Sequence, residues 1–376
     1  MKKSHGNRST AMKLLLAALI LLLPFQAALA SGAGSSAFEK GQAYFQESRF
    51  ELAAEAFSEA IELDPGHADA YLYRGRCRYL LELYEETLAD CAKAAELEPG
   101  NAFVYFLSGS AHYSLERYEE AIAEFTKVIE LDPGYGSAHN DRANAYYRLQ
   151  RYEEAIADYT AEIELDPGDV TAYNNRATAY YRLGRYDAAI ADYIAAIEAD
   201  PAYVSNYTGL GNCLYCQGSY EDAILAYTIA IEISPDQPVS YLYRGDCHFY
   251  LERYEEAIAD YTKAIELYPG YIDAYNNRGN AYYCLQQYEE AIADYTAEIG
   301  LDPEDDVSFY NRGSAYFAME RYEEAIADYT EAIGRSSGAP HYYYYRGMAY
   351  ESLGMAEEAA ADMETYSALA GDSGNP

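Results

Sequence analysis

Arginine recurs along this chain with an aspartate sixteen residues after it: Arg74 with Asp90, Arg142 with Asp158, Arg176 with Asp192, Arg244 with Asp260, Arg278 with Asp294, Arg312 with Asp328 and Arg346 with Asp362. Guanidinium and carboxylate at a fixed offset can do two kinds of chemistry. A column of arginines can bind an anionic ligand, or each arginine can be neutralised by its own aspartate in a repeated, partly buried ion pair. Where the arginine is missing the aspartate is missing too: Leu210 stands with Ala226, Ser108 with Glu124 and Lys40 with Ala56. Paired loss favours the internal ion pair.

The elements that must position these pairs repeat as well. Prolines at Pro65, Pro99, Pro133, Pro167, Pro201, Pro235, Pro269 and Pro303 mark a step of 34 residues, the signature of a repeat array. Numbering each repeat 1 to 34 from Gly34 gives ten repeats, reaching Ser373 without an insertion. In the fifth, Ala172, Tyr173, Arg176, Ala177, Tyr180 and Leu183 recur at helical spacing, and Tyr186, Ala189, Ile190, Tyr193 and Ile197 do so again. Each repeat is therefore predicted to be two amphipathic helices, broken near Gly184-Arg185 and stopped by Pro201. With that bend, the arginine at position 7 and the aspartate at position 23 lie at similar heights on antiparallel helices. Small residues at positions 8 and 20, such as Gly279 with Ala291, allow close approach, and tyrosines at positions 4, 11, 17 and 24 fill the spaces around it.

The six cysteines are read in the same frame. Cys77, Cys213 and Cys247 stand at position 10, where other repeats have alanine, and Cys91 replaces a core aromatic residue. Cys213 and Cys216 form one isolated C-x-x-C, without the second pair that a zinc site needs. A Cys77–Cys91 disulfide stays open at this point. The histidines fall at unrelated repeat positions, and neither a phosphate-cradling glycine loop nor a calcium loop occurs. Asp302 with Glu304-Asp305-Asp306 reads as a solvated loop. No catalytic residue, metal site or cofactor is predicted.

The segments A-Y-N-N-R-G-N-A-Y-Y, Y-E-E-A-I-A-D-Y and L-D-P are similar to the tetratricopeptide repeat, and the resemblance covers essentially all of the chain after its leader. It implies an all-α, right-handed superhelical solenoid of ten helix-turn-helix units, the first helix of each lining a concave groove. The family's groove positions fall on Asn140, Asn144, Tyr147, Arg148, Asn174, Asn175, Tyr181, Arg182, Asn212, Tyr215, Asn276, Asn277, Asn280, Tyr283 and Asn311. A spaced column of amides, each both donor and acceptor, can match an extended peptide backbone without reading its side chains. Tyrosines add flat amphipathic contact area. The carboxylate clamp of chaperone-binding members needs lysine at position 5, where this chain has Phe38, Leu72, Phe106, Asn140 and Asn174, so that clamp is absent. Arg148 and Arg182 are the groove cations left to meet an acidic side chain. A Gly-Asp-Ser-Gly sequence at 371–374 matches the nucleophile loop of trypsin-like proteases, but the two β-barrels and the positioned histidine and aspartate of that class are not predicted.

Residues 1–30 have the form of a secretory leader: Lys2, Lys3, Arg8 and Lys13 precede the apolar run Leu14–Leu23, and Ala28-Leu29-Ala30 follows. The solenoid is expected over 31–373, with a short tail at 374–376. Losing the four leader cations takes Lys and Arg from 26 to 22 against 62 Asp and Glu, and the net charge from −36 to −40. Nucleic acid is a poor partner for such a surface. The expectation is an exported, non-catalytic scaffold, periplasmic or secreted, with no membrane insertion after leader removal, that binds a peptide or partner protein through repeats four to nine. Homo-oligomer assembly through incomplete end caps and glycan binding by the aromatic and amide face are the alternatives.

Overall fold

The computed structural model describes residues 32–372; the leader read over 1–30 and the tail at 374–376 lie outside them. Twenty α-helices and no strand occur among the described residues, in two compact units divided between Gly184 and Arg185. The first unit contains α1 (Gly32–Gln46), α2 (Phe50–Leu63), α3 (Ala68–Leu80), α4 (Tyr84–Leu97), α5 (Ala102–Ser114), α6 (Tyr118–Leu131), α7 (Gly136–Arg148), α8 (Tyr152–Leu165) and α9 (Val170–Arg182). The second begins with α10 (Tyr186–Ala199), α11 (Val204–Cys216), α12 (Tyr220–Ile233), α13 (Pro238–Tyr250), α14 (Tyr254–Leu267) and α15 (Ile272–Cys284). It continues with α16 (Tyr288–Leu301), α17 (Asp306–Ala318), α18 (Tyr322–Arg335), α19 (Pro340–Ser352) and α20 (Ala356–Asp372). Within each unit, every helix packs on the next one in sequence.

The second helix of a repeat shows why these segments are helical. In α14, Ala257, Asp260, Tyr261 and Ala264 are buried, a spacing that puts them on one stripe. Glu255 and Glu256 occupy its first turn, where carboxylates favour the helix dipole. The stop is an aspartate as much as a proline. Asp132 and Asp166 cap helix ends in extended backbone, and each Oδ1 accepts the amide of the glycine two residues on, at 3.1 and 3.0 Å. Asp302 holds Glu304 N in the same way at 3.1 Å, and Asp305 caps α17 by accepting Ser308 N at 2.9 Å.

The turn inside each repeat has a fixed geometry. Position 15 is left-handed in all ten repeats, with φ from 58° to 76°, and is glycine only at Gly184, Gly218 and Gly354. Glu116 N donates to Tyr113 O at 3.0 Å and Arg117 N to His112 O at 2.9 Å; Glu252 and Arg253 repeat the pattern onto Phe249 and His248. Those paired bonds define a Schellman ending of the first helix.

The core is built from small residues facing aromatic ones. Ala111, Ala145, Ala179, Ala281, Ala315 and Ala349 at position 10 are fully buried, as are Cys77, Cys213 and Cys247 in the same place. Cys77 and Cys91 are not joined by a disulfide and are buried; Cys216 and Cys284 are exposed. At position 8 the partner is the ring at position 24. A Cβ added to Gly279 would come within 2.7 Å of Tyr295, so glycine there lets the two helices close on a large buried ring.

Candidate interaction surface

Six of the arginine–aspartate pairs can be described within a unit, and all are bidentate. Arg142 Nε and Nη2 each donate to the Asp158 carboxylate at 2.7 Å, and Arg278 does the same to Asp294 at 2.8 and 2.7 Å. Arg74, Arg244, Arg312 and Arg346 grip Asp90, Asp260, Asp328 and Asp362 at 2.6–3.2 Å. Arg176 and Asp192 belong to different units and are described separately: Arg176 Nη1 donates to Thr160 Oγ1 at 2.9 Å, and Asp192 is buried.

The sequence reading missed a third member. The remaining guanidinium nitrogen reaches position 25 of the preceding repeat, so Arg142 donates to Thr126 at 3.0 Å, Arg278 to Thr262 at 2.9 Å and Arg74 to Ser58 at 3.0 Å. Thr126 in turn donates to Ile122 O at 2.7 Å, so its hydroxyl is used in both directions. Each arginine thus ties its own repeat together and the repeat before it. The guanidinium also lies over the position 4 ring, 5.7 Å from its centre for Arg278 over Tyr275. The aspartate hydrogen bonds hold the Arg142 and Arg312 guanidinium groups above their ordinary pKa. Three of the five N–H donors of such an arginine are thereby engaged within the fold.

The first-helix face carries the predicted ligand residues, and the structure ties many of them to one another. In the first unit, Asn175 Nδ2 donates to Asn140 Oδ1 at 3.3 Å, and Arg182 Nε donates to the Tyr147 hydroxyl at 3.1 Å. Arg148 lies 3.8 Å from Glu116 and 4.9 Å over the Tyr118 ring. Tyr181 is half-buried. Asn174 differs from the expectation: at 6% exposure it is withdrawn from the surface. In the second unit, Asn277 Nδ2 donates to Asp246 Oδ1 at 2.8 Å, and Asn276 Nδ2 lies 3.0 Å from both oxygens of Glu298. Asn311 is half-buried on α17.

Position 9 has a second occupation that periodicity did not reveal. Its side chain accepts the hydroxyl of the buried tyrosine at position 24: Tyr159 to Asn144 at 2.7 Å, Tyr227 to Asn212 at 2.7 Å, Tyr295 to Asn280 at 2.8 Å and Tyr261 to Asp246 at 2.9 Å. A core tyrosine needs such a partner. The constant offset of fifteen residues was present in the sequence, hidden by the change from asparagine to aspartate. Tyrosines at position 12 are also engaged, since Tyr147, Tyr215 and Tyr283 pack edge-on against Tyr152, Tyr220 and Tyr288 across the turn, with centroids 5.2, 5.7 and 5.3 Å apart.

Buried or half-buried carboxyl groups accompany this face. Burial pushes Asp246 up to about 6 against the hydrogen bonds from Tyr261 and Asn277. It pushes Glu298 up to about 7 against that from Asn276. In the first unit Asp141 and Glu162 both rise to about 7, Asp141 by burial with Glu162 adding repulsion. Arg76 takes the place of asparagine in repeat two; it is buried, with its guanidinium 4.6 Å from the Tyr73 ring centre and 4.8 Å from that of Phe45. Its departure from the position 9 pattern was the available signal. Among the described residues no group of three His, Cys, Asp or Glu side chains could hold a metal ion, and no helix is long and apolar enough to cross a membrane.

Tetratricopeptide-repeat profiles match residues 38–102, 106–170 and 174–238, and then 238–271, 272–305 and 307–336. No curated protein matches the chain. Among solved structures, the C-terminal part of a TPR repeat-containing protein from Cytophaga hutchinsonii is 18% identical over 63% of this chain and 97% of that one, with a TM-score of 0.55. YrrB, described as a TPR protein with an unusual peptide-binding site, is 24% identical over 48% of this chain and 92% of its own, with a TM-score of 0.44. The hetero-tetramer of Cut9 and Hcn1 from the APC/C is 16% identical over 89% of this chain and 73% of that chain, with a TM-score of 0.45. With repeat profiles over most of its length and tandem helix pairs in both units, this chain belongs to the tetratricopeptide repeat family, whose fold is generally a non-catalytic scaffold suited to binding proteins or peptides.

Proposed function

We propose that this protein is an exported scaffold whose first-helix faces, on α7 and α9 in one unit and on α11, α15 and α17 in the other, bind an extended peptide segment of a partner protein. The observation that carries this reading is the set of half-buried amides held by neighbours. Asn175 is fixed against Asn140 and Asn277 against Asp246, so their rotamers are set before a ligand arrives. Preorganised polar groups beside aromatic rings lose little conformational freedom on binding. On the same helices the position 7 arginines are engaged by aspartate and threonine.

Affinity capture with the mature chain tests the reading. Changing Asn175, Asn277 and Asn311 together to alanine is expected to abolish capture of its partners while leaving the far-ultraviolet circular dichroism unchanged. Unchanged capture contradicts it. For export, the N-terminal sequence of protein recovered outside the cytoplasm is expected to begin at Ser31, and an intact Met1 on that fraction argues against the leader.

A further inference from the structure

Repeat six breaks the triad in a way that leaves a surface. Position 25 of repeat five, and positions 7 and 23 of repeat six, are Ile194, Leu210 and Ala226 where most other repeats have Thr, Arg and Asp. Three apolar residues replacing a buried polar triad can be a repacked interior. Two further changes do not fit that account. Position 22 is Leu225, against alanine in every other repeat except the first, and position 26 is Ile229, where Lys127, Ala161, Lys263 and Ala297 stand elsewhere. Leu225 is 63% exposed, Ile194 44% and Ile229 39%. Leu225 above all stays exposed although it is large.

These residues line one groove of about 400 Å3, with Leu210 and Leu214 of α11 as its floor and α10 and α12 as its walls. Glu198 on one wall and Asp222 on the other are its exposed charges. Around it, the chain from Tyr186 to Tyr243 contains eight Asp and Glu and no Lys, Arg or His. An apolar trough rimmed on both sides by carboxylates is complementary to an apolar stripe flanked by cations. A second copy of this chain would set acid against acid across the same groove.

We propose that the groove between α10, α11 and α12 docks a cationic amphipathic helix, one whose leucine-type face enters over Leu210 and Leu214 while its lysines and arginines meet Glu198 and Asp222. This site is separate from the amide face of the first helices. It makes repeat six a second recognition point, at a place where seven of the repeats have an arginine.

The probe is a fluorescent Leu/Lys helical peptide titrated against the full mature chain, followed by anisotropy at two salt concentrations. Controls are a Leu/Glu peptide with the same apolar face and a Ser/Lys peptide with the same charge. The Leu/Lys peptide is expected to bind at least tenfold more tightly than either control, and more weakly at high salt. Leu225→Ala with Ile229→Lys, which restores residues found at these positions in other repeats, is expected to remove that preference. The alanine triple variant at Asn175, Asn277 and Asn311 is expected to keep it, so failure of the amide face and failure of this groove read differently. Equal binding of the Ser/Lys peptide overturns the proposal, as does a double variant that binds normally. A dimer in analytical ultracentrifugation that the double variant dissolves would assign the groove to a second copy and overturn it as well.

Discussion

At the scale of single residues, the position 7 arginine is the most consequential side chain, because it is bonded to two repeats at once. Arg278 spends its donors on Asp294 and Thr262, and removing it leaves a buried carboxylate and a hydroxyl without their cation. Arg278→Leu is expected to lower the unfolding free energy by about 3 kcal/mol, the lower end for breaking a buried pair, measured by urea denaturation. Adding Asp294→Ala and Thr262→Ile copies Ala226 and Ile194 of repeat six and is expected to return most of that loss. Simple additivity of the three changes would contradict the triad. The buried carboxyl groups give a pH dependence of known sign. Glu298 is raised to about 7 in the folded chain, above the ordinary carboxylate range near 4.3. Between those values the folded state holds more protons, so the stabilisation is complete below about pH 4 and is lost as pH rises through 7. The melting temperature is therefore expected to climb as pH falls from 8 to 5.5. Glu298→Gln is expected to raise it at pH 8, by roughly 2–4 °C for each 1 kcal/mol recovered, and to flatten the slope; a steeper slope would contradict the assignment.

At the scale of elements, the hydrophobic period and the proline step made the helices legible, and the sixteen-residue offset made the ion pair legible. Three other features were not. The left-handed turn at position 15 is filled by Glu, Gln or Ser in seven repeats, so no glycine column announced it; backbone bonds from the Schellman ending hold it instead. Thr262 and its equivalents were not singled out, because their partner lies in the next repeat. Asn144, Asn212 and Asn280 read as groove amides, since a tyrosine fifteen residues away can be recognised as their donor only once the helices are packed. The turn itself is testable at Gly218, which has φ of 76° and open space around it. Gly218→Ala is expected to cost about 1 kcal/mol through backbone strain alone. Glu252→Gly at the equivalent turn is expected to be neutral or slightly stabilising, and matching losses at both sites would show that the left-handed turn is not what sets the cost.

At the scale of the whole molecule, the chain separates its tasks by face. Net charge is strongly negative, at −36, and seven of the nineteen arginines stand at the ion-pair position 7. On the reading proposed above, the first-helix faces offer a ligand amides and phenols beside the cations Arg148 and Arg182, and the acid-rimmed groove at repeat six takes a cationic one. The central claim is that partner recognition lies on the first helices. Hydroxyl-radical footprinting of the mature chain with and without its captured partner tests it most directly, because half-buried tyrosines report contact one by one. Protection is predicted at Tyr147, Tyr215 and Tyr283, with Tyr254 and Tyr322 at the starts of second helices unchanged. Protection confined to the second helices, with Tyr147, Tyr215 and Tyr283 labelled as in the free chain, would contradict it.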